Sequence, residues 1–192
     1  MSIFSFRAKQ PQAAKIAGVA PKDLQNWANR EMLGSTDVRE IKGGGVKGVP
    51  RSYSFFSIMK FAIAKELMAL GLSAQDALNN ADYFAHMGES DPMGNLPERP
   101  PSLPYHTDLG VTLFAISQQS QCTTVWEVGR KREDRSIEDC YSDIRSRLGS
   151  HSRSFIVIDA TQVFIRVCSE IVQLSGDQSL APGLVLDAYY KK

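Results

Sequence analysis

Ile16-Ala17-Gly18-Val19-Ala20-Pro21-Lys22-Asp23-Leu24-Gln25-Asn26-Trp27-Ala28-Asn29-Arg30 is the stretch on which the fold of the first half of this chain turns. Upstream of it, residues 12–17 read as a short helical run. Gly18-Val19-Ala20 supplies a tight turn, and Pro21 stands where a first helical position tolerates a missing N–H. A second helix then runs from Pro21 to Arg30. Leu24 and Trp27 fall three apart on one face, while Lys22, Gln25, Asn26, Asn29 and Arg30 make a face of cations and amides. Lys and Arg pair with phosphate or guanine, and the Asn and Gln amides present the donor and acceptor fork that matches adenine. A helix, a glycine-containing turn and a polar-faced second helix follow the helix-turn-helix plan.

Working outward, Arg39, Lys42 and Lys47 flank Gly43-Gly44-Gly45 and Gly48. Permissive backbone carrying positive charge reads as a wing, because glycine allows close approach to phosphate and the cations supply sequence-independent affinity. Arg51-Ser52-Tyr53-Ser54 then leads into a long helix capped by Ser54, with an apolar stripe of Phe56, Met59, Ile63, Leu67 and Leu70. Gly71-Leu72 ends it, and Ser73 caps a further helix that turns Ala74, Ala77, Leu78, Ala81 and Phe84 inward.

Ile16-Ala-Gly-Val-Ala-Pro21, Leu24-x-x-Trp27, Leu33, Arg51-x-Tyr53-Ser54 and Leu70-Gly71-Leu72-Ser73 occur in that order over about 75 residues. In this the chain resembles the MerR family of winged-helix transcriptional regulators. The resemblance implies that the helix from Pro21 enters the major groove, that Arg51 and Tyr53 hold phosphate at the base of the wing, and that Trp27 takes the place of a family aromatic. Gln25 stands where members commonly carry Arg, and Met32 where they carry Gly, so no target sequence is implied. The segment between Leu33 and Arg51 is longer than usual. A proline-rich segment also replaces the long dimerisation helix, so the family's metal and drug sensing is not implied either.

Charge divides the chain in the same way. Of its 192 residues, 22 are Lys or Arg and 21 Asp or Glu, yet residues 1–65 hold eleven of the cations against four acids. Residues 87–108 hold five of nine prolines, Pro92, Pro97, Pro100, Pro101 and Pro104, with one Arg against four acids. Proline at that density forbids continuous helix and predicts an extended, semi-rigid linker. The domains expected are therefore a winged helix-turn-helix over 1–86, a linker over 87–108, a small α+β domain over 109–175 and a tail over 176–192, in an α+β chain. Within the third unit, 111–116 and 123–128 read as a hairpin, Ser136 caps a helix carrying Ile137, Tyr141, Ile144 and Leu148, and 155–158 is a short strand. A helix from Thr161 to Leu174 follows, with Val163, Phe164, Val167, Cys168, Ile171 and Leu174 apolar.

The richest apolar run, Phe55 to Leu70, is interrupted by Ser57, Lys60, Lys65 and Glu66, which excludes a membrane span of roughly 18 uninterrupted residues. The first seven residues lack the pattern of a secretory signal, so a cytoplasmic, nucleoid-associated protein is expected. Cys122, Cys140 and Cys168 show no C-x-x-C pair or nearby His, and read as buried hydrophobes. His86, His106 and His151 are isolated, and no H-E-x-x-H, G-x-S-x-G or Walker pattern occurs. Asp159 reads as a helix cap, and Arg130, Lys131, Arg132 and Arg135 as a solvated turn.

The expectation is thus a sequence-specific regulator and not an enzyme, without cofactor or metal, its partner double-stranded DNA. Lys22, Gln25, Asn26, Asn29 and Arg30 would face base edges, and Lys42, Lys47, Arg51 and Tyr53 the backbone. The C-terminal unit would make a homodimer or meet RNA polymerase, another protein or a ligand, since useful affinity comes from two half-sites. The alternative in a different class is a DNA-architectural, excisionase-like or phage small-terminase-like packaging factor. An enzyme with its site around Asp159 is a further alternative.

Overall fold

Phe55–Ala69 is buried on nearly every side, and the other elements are arranged around it. The computed structural model describes residues 2–30, 32–33, 51–90, 96–118, 120–126, 137–149 and 154–191. Among them the elements are a short strand β1 (Arg7–Lys9), α1 (Gln10–Ala17), α2 (Pro21–Asn29), β2 (Ser52–Ser54), α3 (Phe55–Ala69) and α4 (Ala74–His86). Then follow β3 (Val111–Ile116), β4 (Gln121–Trp126), α5 (Ile137–Leu148), β5 (Ile156–Asp159), α6 (Ala160–Ser175) and α7 (Pro182–Tyr190). The fold class is α+β, with a helical N-terminal region and a smaller C-terminal α+β part. No helix of the described residues is long and apolar enough to cross a membrane.

The helix starts follow local chemistry. Ser54 Oγ accepts from Ser57 N at 3.1 Å, Ser73 Oγ from Asp76 N at 3.2 Å, and Asp159 Oδ1 from Gln162 N at 2.9 Å, each satisfying a donor the first turn leaves open. Asp159 is therefore the cap of α6. The stripe on α3 is wider than its sequence spacing implies: Phe55, Ile58, Phe61, Ala62 and Ala64 are buried beside Met59, Ile63 and Leu67. Leu70, expected inside, is 54% exposed because it lies past the last turn of α3. Leu174 on α6 is also exposed.

β1 pairs antiparallel with β2, and β3 is the centre of an antiparallel sheet ordered β4-β3-β5. Strand β4 begins two residues before the expected 123–128. The hairpin closes where Ser117 N donates to Ser120 O at 2.8 Å. Successive side chains of a strand face opposite ways, and here both faces are covered. Phe114, Ile116 and Ile158 join the main core, whereas Ala115 packs with Cys122, Cys140, Ile144 and Leu148 under α5. Burial pushes the Cys122 and Cys168 thiols up to about 12, so both stay protonated near neutrality.

Two expectations about the chain's organisation are corrected. The described part of residues 87–108 is not a spacer: Arg99, Leu103 and Tyr105 are wholly buried. Arg99 donates to the carbonyls of Phe84, Met87, Pro100 and Leu103 at 3.0–3.3 Å and to Thr123 Oγ1 at 3.2 Å, and its guanidinium lies 4.4 Å from the centre of the Phe84 ring. Glu89 faces it at 3.8 Å and accepts from Thr123 N. These contacts hold the described part of the segment as a strap against the core instead of letting it span a gap. Nor is 176–192 a loose tail, since Leu180, Val185 and Leu186 are core residues and Tyr190 Oη donates to Pro104 O at 3.1 Å. One buried cluster runs from Ile3 to Leu186. It also absorbs Phe164 and Cys168, so the broad stripe on α6 is covered within the chain itself by α1, α3 and β3.

Candidate nucleic-acid interface

The turn between α1 and α2 is fixed at both ends by hydrogen bonds. Gly18 takes the left-handed conformation, φ 72°, while its N–H donates to Lys15 O and that of Val19 to Ala14 O, each at 3.0 Å. That pair closes a helix C-terminus in the Schellman manner. Arg166, reaching from α6, donates through Nη1 to Ala17 O at 3.2 Å, and a Cβ on residue 18 would stand 2.6 Å from the same nitrogen. At the other end, Gln10 Nε2 donates to Pro21 O at 3.4 Å, so the starts of α1 and α2 are side by side.

α2 is then pinned from beneath. Leu24 and Trp27 are buried, with the Trp27 ring 6.0 Å from that of Phe61. Beyond the helix, Leu33 O accepts from Lys60 Nζ at 2.8 Å. The Lys60 ammonium is 2% exposed and also meets Asp82 at 2.8 Å. A buried ammonium is tolerable only with such partners, and these two tie the exit of α2 to α3 and α4.

With Leu24 and Trp27 turned inward, the helical period puts the opposite face in solvent. Lys22, Gln25, Asn29 and Arg30 are exposed and Asn26 is half-buried, so all five expected base-facing side chains share that side of a docked helix. Arg51 is half-buried at the entry to β2. Tyr53 is different. Its side chain is wholly buried, edge-on to Phe61 with ring centres 5.5 Å apart, which corrects the expectation that it holds phosphate. In three-residue β2 both Tyr53 and Ser54 are buried, and Tyr53 pairs with Ala8 on the inward side. Lys42 and Lys47, with the glycine-rich wing, lie outside the described residues, as does the Arg130–Arg135 cluster.

Sequence reasoning missed two side chains. β1 is exposed, buried, exposed, so Arg7 and Lys9 project outward on either side of buried Ala8. The alternation Phe6-Arg7-Ala8-Lys9 was the available signal, too short to stand out. The sequence charge is predominantly positive here, with eleven Lys or Arg against four acids in residues 1–65, although Asp23 is exposed in the first turn of α2.

Elsewhere, a cavity of about 450 Å³ lies beside Asp159, lined also by Glu66, Leu70, Val163 and Arg166. One of about 460 Å³ lies between the start of α4 and the ends of β3 and β5. Among the described residues no group of three or more His, Cys, Asp and Glu is placed to hold a metal ion. In comparison with known proteins, no family model and no curated relative matches the chain.

Proposed function

We propose that the protein binds double-stranded DNA sequence-specifically, as a MerR-like winged helix-turn-helix regulator of transcription. The observation that carries this reading is the α2 face: two cations and three amides turned outward from a helix whose buried side, entry and exit are all anchored. Base readout needs such fixity, because a bidentate amide or guanidinium discriminates between bases only when it is held in register. Lys22, Gln25, Asn26, Asn29 and Arg30 face base edges, and Arg51 holds backbone together with Lys42 and Lys47. One recognition helix makes a small interface, so the protein acts as a dimer on paired half-sites.

The test is binding of the full chain to the duplex upstream of its own gene, against scrambled competitor, over a range of salt, with mass measured in the same buffer. Competitor-resistant binding by a dimer is expected, and Asn29→Ala should cost about 1–3 kcal/mol at a single base position. Equal affinity for both duplexes, or uniform weakening by Asn29→Ala, overturns base reading by α2. A larger ring-like assembly with indiscriminate binding favours the packaging reading instead.

A further inference from the structure

Among the described residues some cations are paired with carboxylates and others are not. Lys15 is paired with Glu170 at 3.7 Å, Lys60 with Asp82 at 2.8 Å and Arg166 with Glu66 at 3.5 Å, all within the chain. Among the described residues, Arg7, Lys9 and Lys22 meet no carboxylate. They are also near one another. The ladder sets Arg7 opposite Ser54 and Lys9 opposite Ser52, the residue after Arg51. Lys9 runs directly into Gln10, whose amide is bonded to Pro21 at the head of α2, one residue before Lys22. Arg7 and Lys9 share one side of a strand, about 7 Å apart, on a short ribbon whose other side is anchored by Ala8 and Tyr53.

We propose that β1 is a second backbone clamp: Arg7 and Lys9 hold phosphates of the duplex beside the groove that α2 enters. This rests on the DNA-binding reading and extends it to a strand outside the helix-turn-helix and the wing. A strand fixed by main-chain pairing carries no base information at this position. It sets the register and entry angle of α2, which is the part phosphate contacts play in recognition. It also releases counterions, so its contribution is read in the salt dependence.

The experiment compares the full chain with Arg7→Gln/Lys9→Gln on the upstream duplex and on a scrambled duplex of equal length. The plot of log affinity against log salt should become shallower by about 1.8, roughly 0.9 for each lost phosphate contact. The change should be the same on both duplexes, leaving their affinity ratio unaltered. Both side chains are exposed, so thermal unfolding should overlay that of the parent, and the single variants should each show half the effect. Arg145→Gln, exposed on α5 over β3 and β4, should keep the parent slope. A parent slope in the double variant, or an equal per-charge fall in Arg145→Gln, overturns the clamp while leaving DNA binding by α2 standing. Failure of the parent protein to retain either duplex overturns both.

Discussion

Gly18 carries two separate demands. Its φ of 72° lies where a Cβ costs about 1–2 kcal/mol, and a Cβ there would press on Arg166 Nη1. Gly18→Ala should therefore destabilise the protein by about 1–2 kcal/mol in urea unfolding, the long Arg166 side chain yielding at little extra cost. An unchanged midpoint would mean that the turn relaxes freely. This residue was legible, because left-handed turns after a helix favour glycine by a local rule. Tyr53 was not. Whether a tyrosine in a three-residue strand points in or out depends on which strand pairs with it, and its partner Ala8 lies 45 positions earlier. Arg7 and Lys9 escaped for the same reason, while the amides of α2 could be placed from Leu24 and Trp27 alone.

At the level of elements, the caps of α3, α4 and α6 could be read ahead of the structure, since each is a contact between residues three apart. The docking of α7 could not, because it depends on residues more than 80 positions away. His106 Nδ1 accepts from Asp108 N at 3.0 Å, which leaves Nε2 to donate to Asp187 Oδ1 at 2.9 Å. Hydrogen bonds from Lys191 and then His106 hold the Asp187 carboxyl below the ordinary carboxylate range. A carboxylate depressed in this way contributes stability that is fully present above its unfolded value near 3.9 and is lost as pH falls through the lower folded value. Asp187→Asn should accordingly flatten the acid limb of a stability profile below about pH 4 and leave its shape at neutral pH unchanged. A parent-like acid limb would remove this contact from the linkage.

On the scale of the whole molecule, the proline count was wrongly read as implying a spacer, since Arg99, Leu103 and Tyr105 are buried. Composition reports what the backbone of residues 87–108 cannot do; it is silent on whether Arg99 finds four carbonyls and Thr123 inside the fold. Those partners come from α4, the strap and β4, so Arg99 joins regions that charge and proline content divide. Burial pulls its guanidinium pKa down, and Glu89 opposes that shift. Arg99→Met should cost about 3–5 kcal/mol, as for breaking a buried pair, because Glu89 and the carbonyls lose their shared cation. The loss should appear as one cooperative transition in differential scanning calorimetry. Two separable transitions would show that the halves unfold independently.

Near the start of the chain, Ser2, Ile3 and Phe4 face Ser179, Val185, Ala188 and Tyr189 across a cavity of about 270 Å³. These two walls lie more than 170 positions apart in the sequence, so residues 2–4 are synthesised well before residues 179–189. Phe4 can already stack on Phe56, with ring centres 5.6 Å apart, but the second wall waits for residues 179–189, and Arg166 reaches the turn at Ala17 only shortly before. A nascent chain that already contains every residue of the α1–α2 hairpin still lacks the parts that fix it. The turn between α1 and α2 therefore gains its Arg166 contact only late in translation, and a product interrupted before Arg166 carries α2 without it.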